Sequence, residues 1–359
     1  MPSRFVFLPL IKQKREITQQ PNSIQTIMGF HEGNLNQQKV NYDEPSKVVI
    51  AGGGIVGCVL ALALKKHTQL VPEIYEKAHA FYPDVGAALG MYPNGLRVIR
   101  DIDPDLLKTI QAAGCPYGVR RWERHDGTEI ASAEESVLSG GDDELSSIGI
   151  RRWKLQKILF DAVVEAGIPF FFQKGTKDVI IQEDNLVQVV FEDGSRRTTE
   201  LLFGCDGTHS MVRQVLAGSA TKLEYTGVTC LMGMSDIPST VPGISFPSST
   251  TTGCHALFFP TGENEQCFQI HTPVAEEDAD QQCWGNLDNA VGQAECRKVS
   301  KRLREDGWNE RYIEPLQHVT HAVRVGFAVL DPPLQQWAFG KKNRVVLVGD
   351  AAHPPVPYM

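Results

Sequence analysis

Residues 47–66 read Lys-Val-Val-Ile-Ala, then Gly-Gly-Gly-Ile-Val-Gly, then an apolar stretch from Cys58 to Lys66. That order restricts the chain more than any other feature in it. A short buried strand runs into a Gly-x-Gly-x-x-Gly turn, and the turn opens a helix. Gly52 permits the tight turn. Gly54 lets backbone approach a pyrophosphate, and Gly57 lets the helix pack on the strand. The helix N-terminus adds free N–H groups and the positive end of its dipole. A second strand, Leu70–Glu76, ends in an acid 24 residues after Gly52, near the spacing of a ribose-binding carboxylate. Pro72 sits early in that run, where a strand tolerates it. The pattern predicts a dinucleotide cradle rather than a chance glycine turn. Glu76 disfavours a 2′-phosphate, so the tight ligand is of the FAD or NAD type rather than NADP.

Two further strands end in carboxylates. Glu200-Leu-Leu-Phe-Gly-Cys-Asp206 leads into Gly207-Thr-His-Ser-Met-Val-Arg213, which reads as a helix start. Phe191-Glu-Asp-Gly-Ser195 before it reads as a hairpin turn. Near the end of the chain, Val345–Val348 is an apolar run that delivers Gly349 and Asp350, followed by Ala-Ala-His-Pro. Taken alone, Asp206 and Asp350 could each be the N-cap of the following segment. Ser210 beside His209 is a turn and helix-start serine, since no Gly-x-Ser-x-Gly surrounds it.

GxGxxG with its acid, GCDGTHSMVR and RVVLVGDAAHPP occur in that order over residues 47–359. The chain thereby resembles the class A FAD-dependent aromatic monooxygenases, the para-hydroxybenzoate hydroxylase and salicylate hydroxylase-like family. Between the first two motifs, Ile150–Leu159 resembles the family's RxxLxxxL helix. The resemblance implies an α/β fold: a Rossmann-like FAD-binding domain of the glutathione-reductase type with an inserted antiparallel-sheet substrate domain. It implies that Gly52, Gly54 and Gly57 line the FAD pyrophosphate and that Glu76 holds the adenosine ribose. Arg152 would approach the flavin phosphates, and Asp350, after Gly349, the ribityl chain. Asp206 and Gly207, with Arg213 nearby, match the motif that serves both FAD and NAD(P)H. Gly86, in the loop Val85–Asn94, would lie at the flavin ring edge. Pro357 would border the substrate at the reactive face.

The implied function is hydroxylation of a small aromatic or polyketide-like substrate with NAD(P)H and O2 through a flavin C4a-hydroperoxide. The cofactor carries the hard step. The alternatives are a truncated, catalytically impaired paralogue and a flavin-dependent epoxidase on the same fold. A halogenase would carry a WxWxIP segment, which is absent from the sequence. The family pattern continues beyond the proline loop with a glycine-rich turn and a helix. This chain ends at Met359, so the expectation is a C-terminally truncated sequence.

The expected division is residues 1–46 as a disordered extension and 47–214 as the first part of the FAD-binding domain, with small substrate-side insertions. Residues 215–330 form the substrate domain, and 331–359 the truncated second part of the FAD-binding domain. In the substrate domain, Val228–Met232, Ala256–Phe259 and Cys267–His271 have strand character, and Gln293–Arg304 reads as a surface helix. Phe258, Phe259, His255 and His271 are substrate-facing candidates, although alternation turns about half of such residues away. The histidines lack companions for a metal site, so no metal is expected.

A net charge of −8 gives no global basic surface, so no nucleic-acid partner is expected. No apolar run approaches the ~20 residues of a membrane span. Eight cysteines form no CxxC pair, which suits free thiols in a reducing compartment. The expected location is cytoplasmic. The alternative is an organelle reached through residues 1–30, where Arg4, Lys12, Lys14 and Arg15 face one acid, Glu16.

Overall fold

The computed structural model describes residues 44–359 apart from 69, 84–85, 143–144, 277–283 and 356–359. The extension expected over 1–46 lies outside the described residues except for its last three. The first sheet is built on five parallel strands. Their order is Val345–Leu347, Arg196–Gly204, Ser46–Ala51, Glu73–Tyr75 and Phe170–Phe171. Ala338–Phe339 adds an antiparallel edge, and Thr176–Ile181 and Val187–Phe191 pair antiparallel off Arg196–Gly204. The glycine turn delivers Ile55–Thr68, a helix of 14 residues.

Alternation along Ser46–Ala51 explains why this strand is central. Val48 and Ile50 face a core shared with the helices Ile55–Thr68, Pro93–Ile102, Pro104–Ala113 and Arg152–Glu165. Val49 and Ala51 face a second core with Tyr75, Val187, Val189, Phe191 and Val345. The second strand is shorter than expected, Glu73–Tyr75. Pro72 has no N–H to give the ladder and stays outside it. Glu73 is buried and receives both Nε and Nη2 of the buried Arg197, at 2.8 and 2.7 Å, with the Tyr75 hydroxyl donating at 2.7 Å.

The second sheet also has eight strands. From one edge they are Gly285–Asn286, Val319–Leu330, Leu223–Ser235, Glu265–Pro273, His255–Gly262, Ile244–Ser248, Val119–Arg124 and Glu129–Glu134. All pairs are antiparallel except Ile244–Ser248 with Val119–Arg124. One face packs Phe258, Phe268 and Ile270 against Cys296, Leu303, Tyr312 and Leu316. These come from the helices Asn289–Glu305 and Glu314–Gln317 and the turn before the latter. The opposite face packs Leu257, Phe259, Cys267 and Met234 against Ala87, Ala88 and Tyr117. A small third sheet, Ala88–Met91, Ile148–Arg151 and Cys115–Pro116, lies on that side.

Seven cysteines are described, all as free thiols. Burial pushes Cys58, Cys205, Cys267 and Cys296 up to about 12, so these thiols stay protonated. Among the described residues no helix is long and apolar enough to cross a membrane.

Candidate functional site

Register carries the strand ends to one level. Ala51 pairs with Gly204 and with Tyr75, and Gly204 pairs with Leu347. The next residues of four adjacent parallel strands therefore emerge together: Gly52, Glu76, Cys205-Asp206 and Val348-Gly349-Asp350. Ligands of open α/β sheets bind outside such carboxyl ends.

The glycine turn is as tight as its spacing demands. Gly52 has φ +104°, and a Cβ there would lie 2.4 Å from the Cys205 carbonyl oxygen. A Cβ on Gly57 would lie 2.0 Å from the Gly52 oxygen. A Cβ on Gly54 would meet nothing within 4 Å among the described residues, so the middle glycine borders open space there. Gly53, which the spacing argument passes over, contributes its polar backbone. Its N–H donates to Glu76 Oε2 at 2.7 Å, and its carbonyl accepts from Gln156 Nε2 at 2.9 Å. Glu76 Oε1 accepts the Ala78 N–H at 2.9 Å. Each Glu76 oxygen keeps a second lone pair for a hydroxyl donor.

Asp206 combines both readings of its sequence. Its Oδ2 accepts the Met211 and Val212 N–H groups at 2.7 and 3.1 Å, which caps the helix Met211–Ala217. Its Oδ1 is buried without a hydrogen-bond partner among the described residues. Buried polar atoms are rarely left so, and this one fits a hydroxyl donor from a bound ligand. Ser210 accepts the Arg213 N–H at 2.9 Å as the helix-start serine expected from sequence.

Arg213 holds the segments after the Asp206 and Asp350 strand ends together. It is 1% exposed. Its guanidinium donates to the carbonyls of Thr208 at 2.5 Å, Ala351 at 3.0 Å and Asp350 at 3.3 Å. Burial lowers its pKa, and the Asp206 carboxylate acts in the opposite direction. The Thr208 hydroxyl donates to Asp350 Oδ2 at 3.2 Å, leaving that exposed carboxylate further acceptor capacity. Gly349 sits against the start of the glycine-loop helix, where its Cβ would lie 3.0 Å from Val56 Cγ2.

Gly86 and Arg152 touch each other. A Cβ on Gly86 would lie 2.9 Å from Arg152 Cδ, and the Arg152 N–H donates to the Ala87 carbonyl at 3.2 Å. Arg152 is exposed and makes no ion pair among the described residues. It starts the helix whose Gln156, one turn on, bonds to Gly53, so this arginine stands beside the glycine turn. Pro357 lies outside the described residues. Of the substrate-facing candidates, Phe258 points to the helix side against Tyr312, and Phe259 is buried against Tyr117 on the other. His271 is buried and stacks on His255 at 4.6 Å.

These residues fit FAD. They offer a glycine turn open at Gly54, a helix N-terminus with no acid in its first turn, and carboxylates able to accept from ribose and polyol hydroxyls. The comparisons agree. The chain is 32% identical over 210 residues to the FAD-dependent monooxygenase olcE of Penicillium canescens, covering 55% of this chain and 44% of that protein. It is 28% identical to the chloroplastic zeaxanthin epoxidase of Nicotiana plumbaginifolia, over 87% of this chain and 45% of that one. The chain thus spans less than half the length of these two curated relatives. Klebsiella pneumoniae HpxO, solved with FAD and uric acid, shares the fold with a TM-score of 0.70 at 21% identity, over 87% of this chain and 74% of that one. The family described as the FAD-binding domain matches residues 45–359 in one continuous span, and the chain belongs to it.

Proposed function

We propose that the chain is an FAD-dependent monooxygenase that uses NAD(P)H and O2 to hydroxylate a small aromatic or polyketide-like substrate. One observation carries this reading. Glu76, Asp206 and Asp350 converge around an open glycine turn, and a buried Asp206 oxygen waits there for a donor. When bound, FAD supplies hydride acceptance and oxygen activation. Gly52, Gly54 and Gly57 give the pyrophosphate room, and Glu76 accepts from the adenosine ribose. Arg152 neutralises phosphate charge. Asp350, after Gly349, accepts from the ribityl chain, and Asp206 accepts from a hydroxyl at its Oδ1. Gly86 borders the ring edge, and Pro357 walls the substrate.

The proposed division assigns 47–214 and 331–359 to the FAD-binding domain and 215–330 to the substrate domain, which the strands within 119–134 extend. The first-sheet domain binds and orients. The second sheet roofs the reaction and excludes water. The free thiols support a reducing compartment, and we assign the cytoplasm. The likeness to zeaxanthin epoxidase over 87% of the chain supports alkene epoxidation as the second reading.

The test is oxygen consumption and nicotinamide oxidation by the FAD-loaded protein against a panel of aromatic and polyketide-like compounds. The expected result is oxidation stimulated by some panel members, with products that have gained one oxygen atom. Failure of both NADH and NADPH to reduce the bound flavin would contradict the reading.

A further inference from the structure

The second sheet turns one face toward the Gly86 loop, and the pairing register shows what that face presents. Leu257 pairs with Gln269, Gln269 with Met232, Met232 with Val323, and Val323 with Asn286. Asn286 Oδ1 lies 3.5 Å from the Gly86 amide nitrogen. A single cross-strand row thus reaches from the middle of the sheet to the loop placed at the flavin ring edge. Directly opposed residues share a face, so the side chains of this row stand together. That face is the one packed on Ala87 and Ala88, because Leu257 belongs to their core and Met232 packs against it. The residues between, such as Phe258, Phe268 and Ile270, point to the helices instead.

The row holds no ionisable group. Of the two flanking rows, the one of His255, His271, Cys230 and Val325 carries no charge at neutral pH, and the one of Phe259, Cys267, Met234 and His321 holds a single histidine. Burial lowers His271 to about 3 and also lowers His255. Burial raises the Cys230 thiol well above its ordinary value. Two charges on this side are engaged with partners of their own. Arg120 is held by Glu135 at 2.6 Å and by Ser147. Glu265 is held by Arg151 at 2.9 Å and by Thr261. Within the two rows, Gln269 is the half-buried side chain with a strong neutral donor and acceptor, and its amide lies beside the Cys267 thiol.

We propose that this face takes an uncharged, largely apolar substrate, with Gln269 as its polar, specificity-determining contact. The inference rests on the proposed flavin site and narrows its substrate class. A carboxylate desolvated beside Gln269 would meet no cation in either row, Arg152 at the Gly86 end being assigned to the flavin phosphates, and such a charge is expelled from a low-dielectric site unless paired. A neutral ring or polyene loses nothing of that kind, and a single hydroxyl or carbonyl can be matched by the amide.

The test compares naphthalene carboxylate with its uncharged methyl ester by titration calorimetry, on the FAD-loaded protein and on the chain without FAD. The ester is expected to bind about ten-fold or more tightly than the acid. Gln269→Arg, checked for folding by circular dichroism, should close that gap by favouring the acid. Met232→Lys serves as the second variant on the same row. Equal or tighter binding of the acid by the unaltered protein would overturn the inference, as would an unchanged ratio in both folded variants. Loss of the flavin reading shows separately, as absence of a bound flavin spectrum, while the calorimetry without FAD still reports on the face.

Discussion

Gly57→Ala should weaken FAD binding by about 100-fold or more, roughly 3 kcal/mol. The added methyl would sit 2.0 Å from the Gly52 carbonyl oxygen, a backbone atom that cannot swing aside. Relief requires the helix Ile55–Thr68 to lift from the strand Ser46–Ala51. That movement withdraws the helix N-terminus from the phosphates. Gly54→Ala separates ligand from fold. Its methyl meets nothing within 4 Å among the described residues, so the melting temperature should hold while FAD affinity falls. Flavin fluorescence titration with parallel thermal melts checks both. Unchanged affinity in Gly54→Ala would mean that the space before the turn is not where the pyrophosphate lies.

Arg213→Met should destabilise the fold by about 2–3 kcal/mol. The methionine fills much of the same volume but leaves the carbonyls of Thr208, Asp350 and Ala351 without their shared donor. A carbonyl stripped of a charged partner is costly where it is buried, as at Ala351, and less so at the part-buried Thr208 and Asp350. Arg213→Lys should recover part of the loss, since an ammonium reaches fewer carbonyls than the planar fork. Urea unfolding measures both. A loss below about 1 kcal/mol for the methionine variant would show that the loops at Thr208 and Asp350 are held in some other way.

The strand ends were readable because each is marked twice, once by an apolar run and once by the acid or glycine that terminates it. The parallel register brings the strand ends that carry Glu76, Asp206 and Asp350 to one level. Gln156 was not readable. A glutamine in a helix is ordinarily a solvated residue, and only the packing of Arg152–Glu165 against the glycine turn brings it to the Gly53 carbonyl. Arg213 was noted as a neighbour of Asp206, but its grip on the Asp350 loop is a contact 138 residues distant in sequence. The strand Val119–Arg124 escaped because Val-Arg-Arg-Trp-Glu-Arg looks solvated. Its buried polar side chain is Glu123, 2% exposed and held by Arg311 at 2.6 Å, while Arg124 stays exposed. The apolar run Leu257–Phe259 could not reveal which side chain faces which way. Pairing decides that, and it sends Phe258 to the helices and Leu257 to the Gly86 side.

Every role proposed for these residues depends on FAD being held by this chain. The most direct measurement is the visible absorption spectrum of the purified protein, before and after incubation with FAD and removal of the excess. A retained flavin spectrum with resolved vibrational structure, reporting a ring shielded from water, is the expected result. A folded protein by circular dichroism that retains no flavin would contradict the site built from Gly52, Glu76, Asp206 and Asp350.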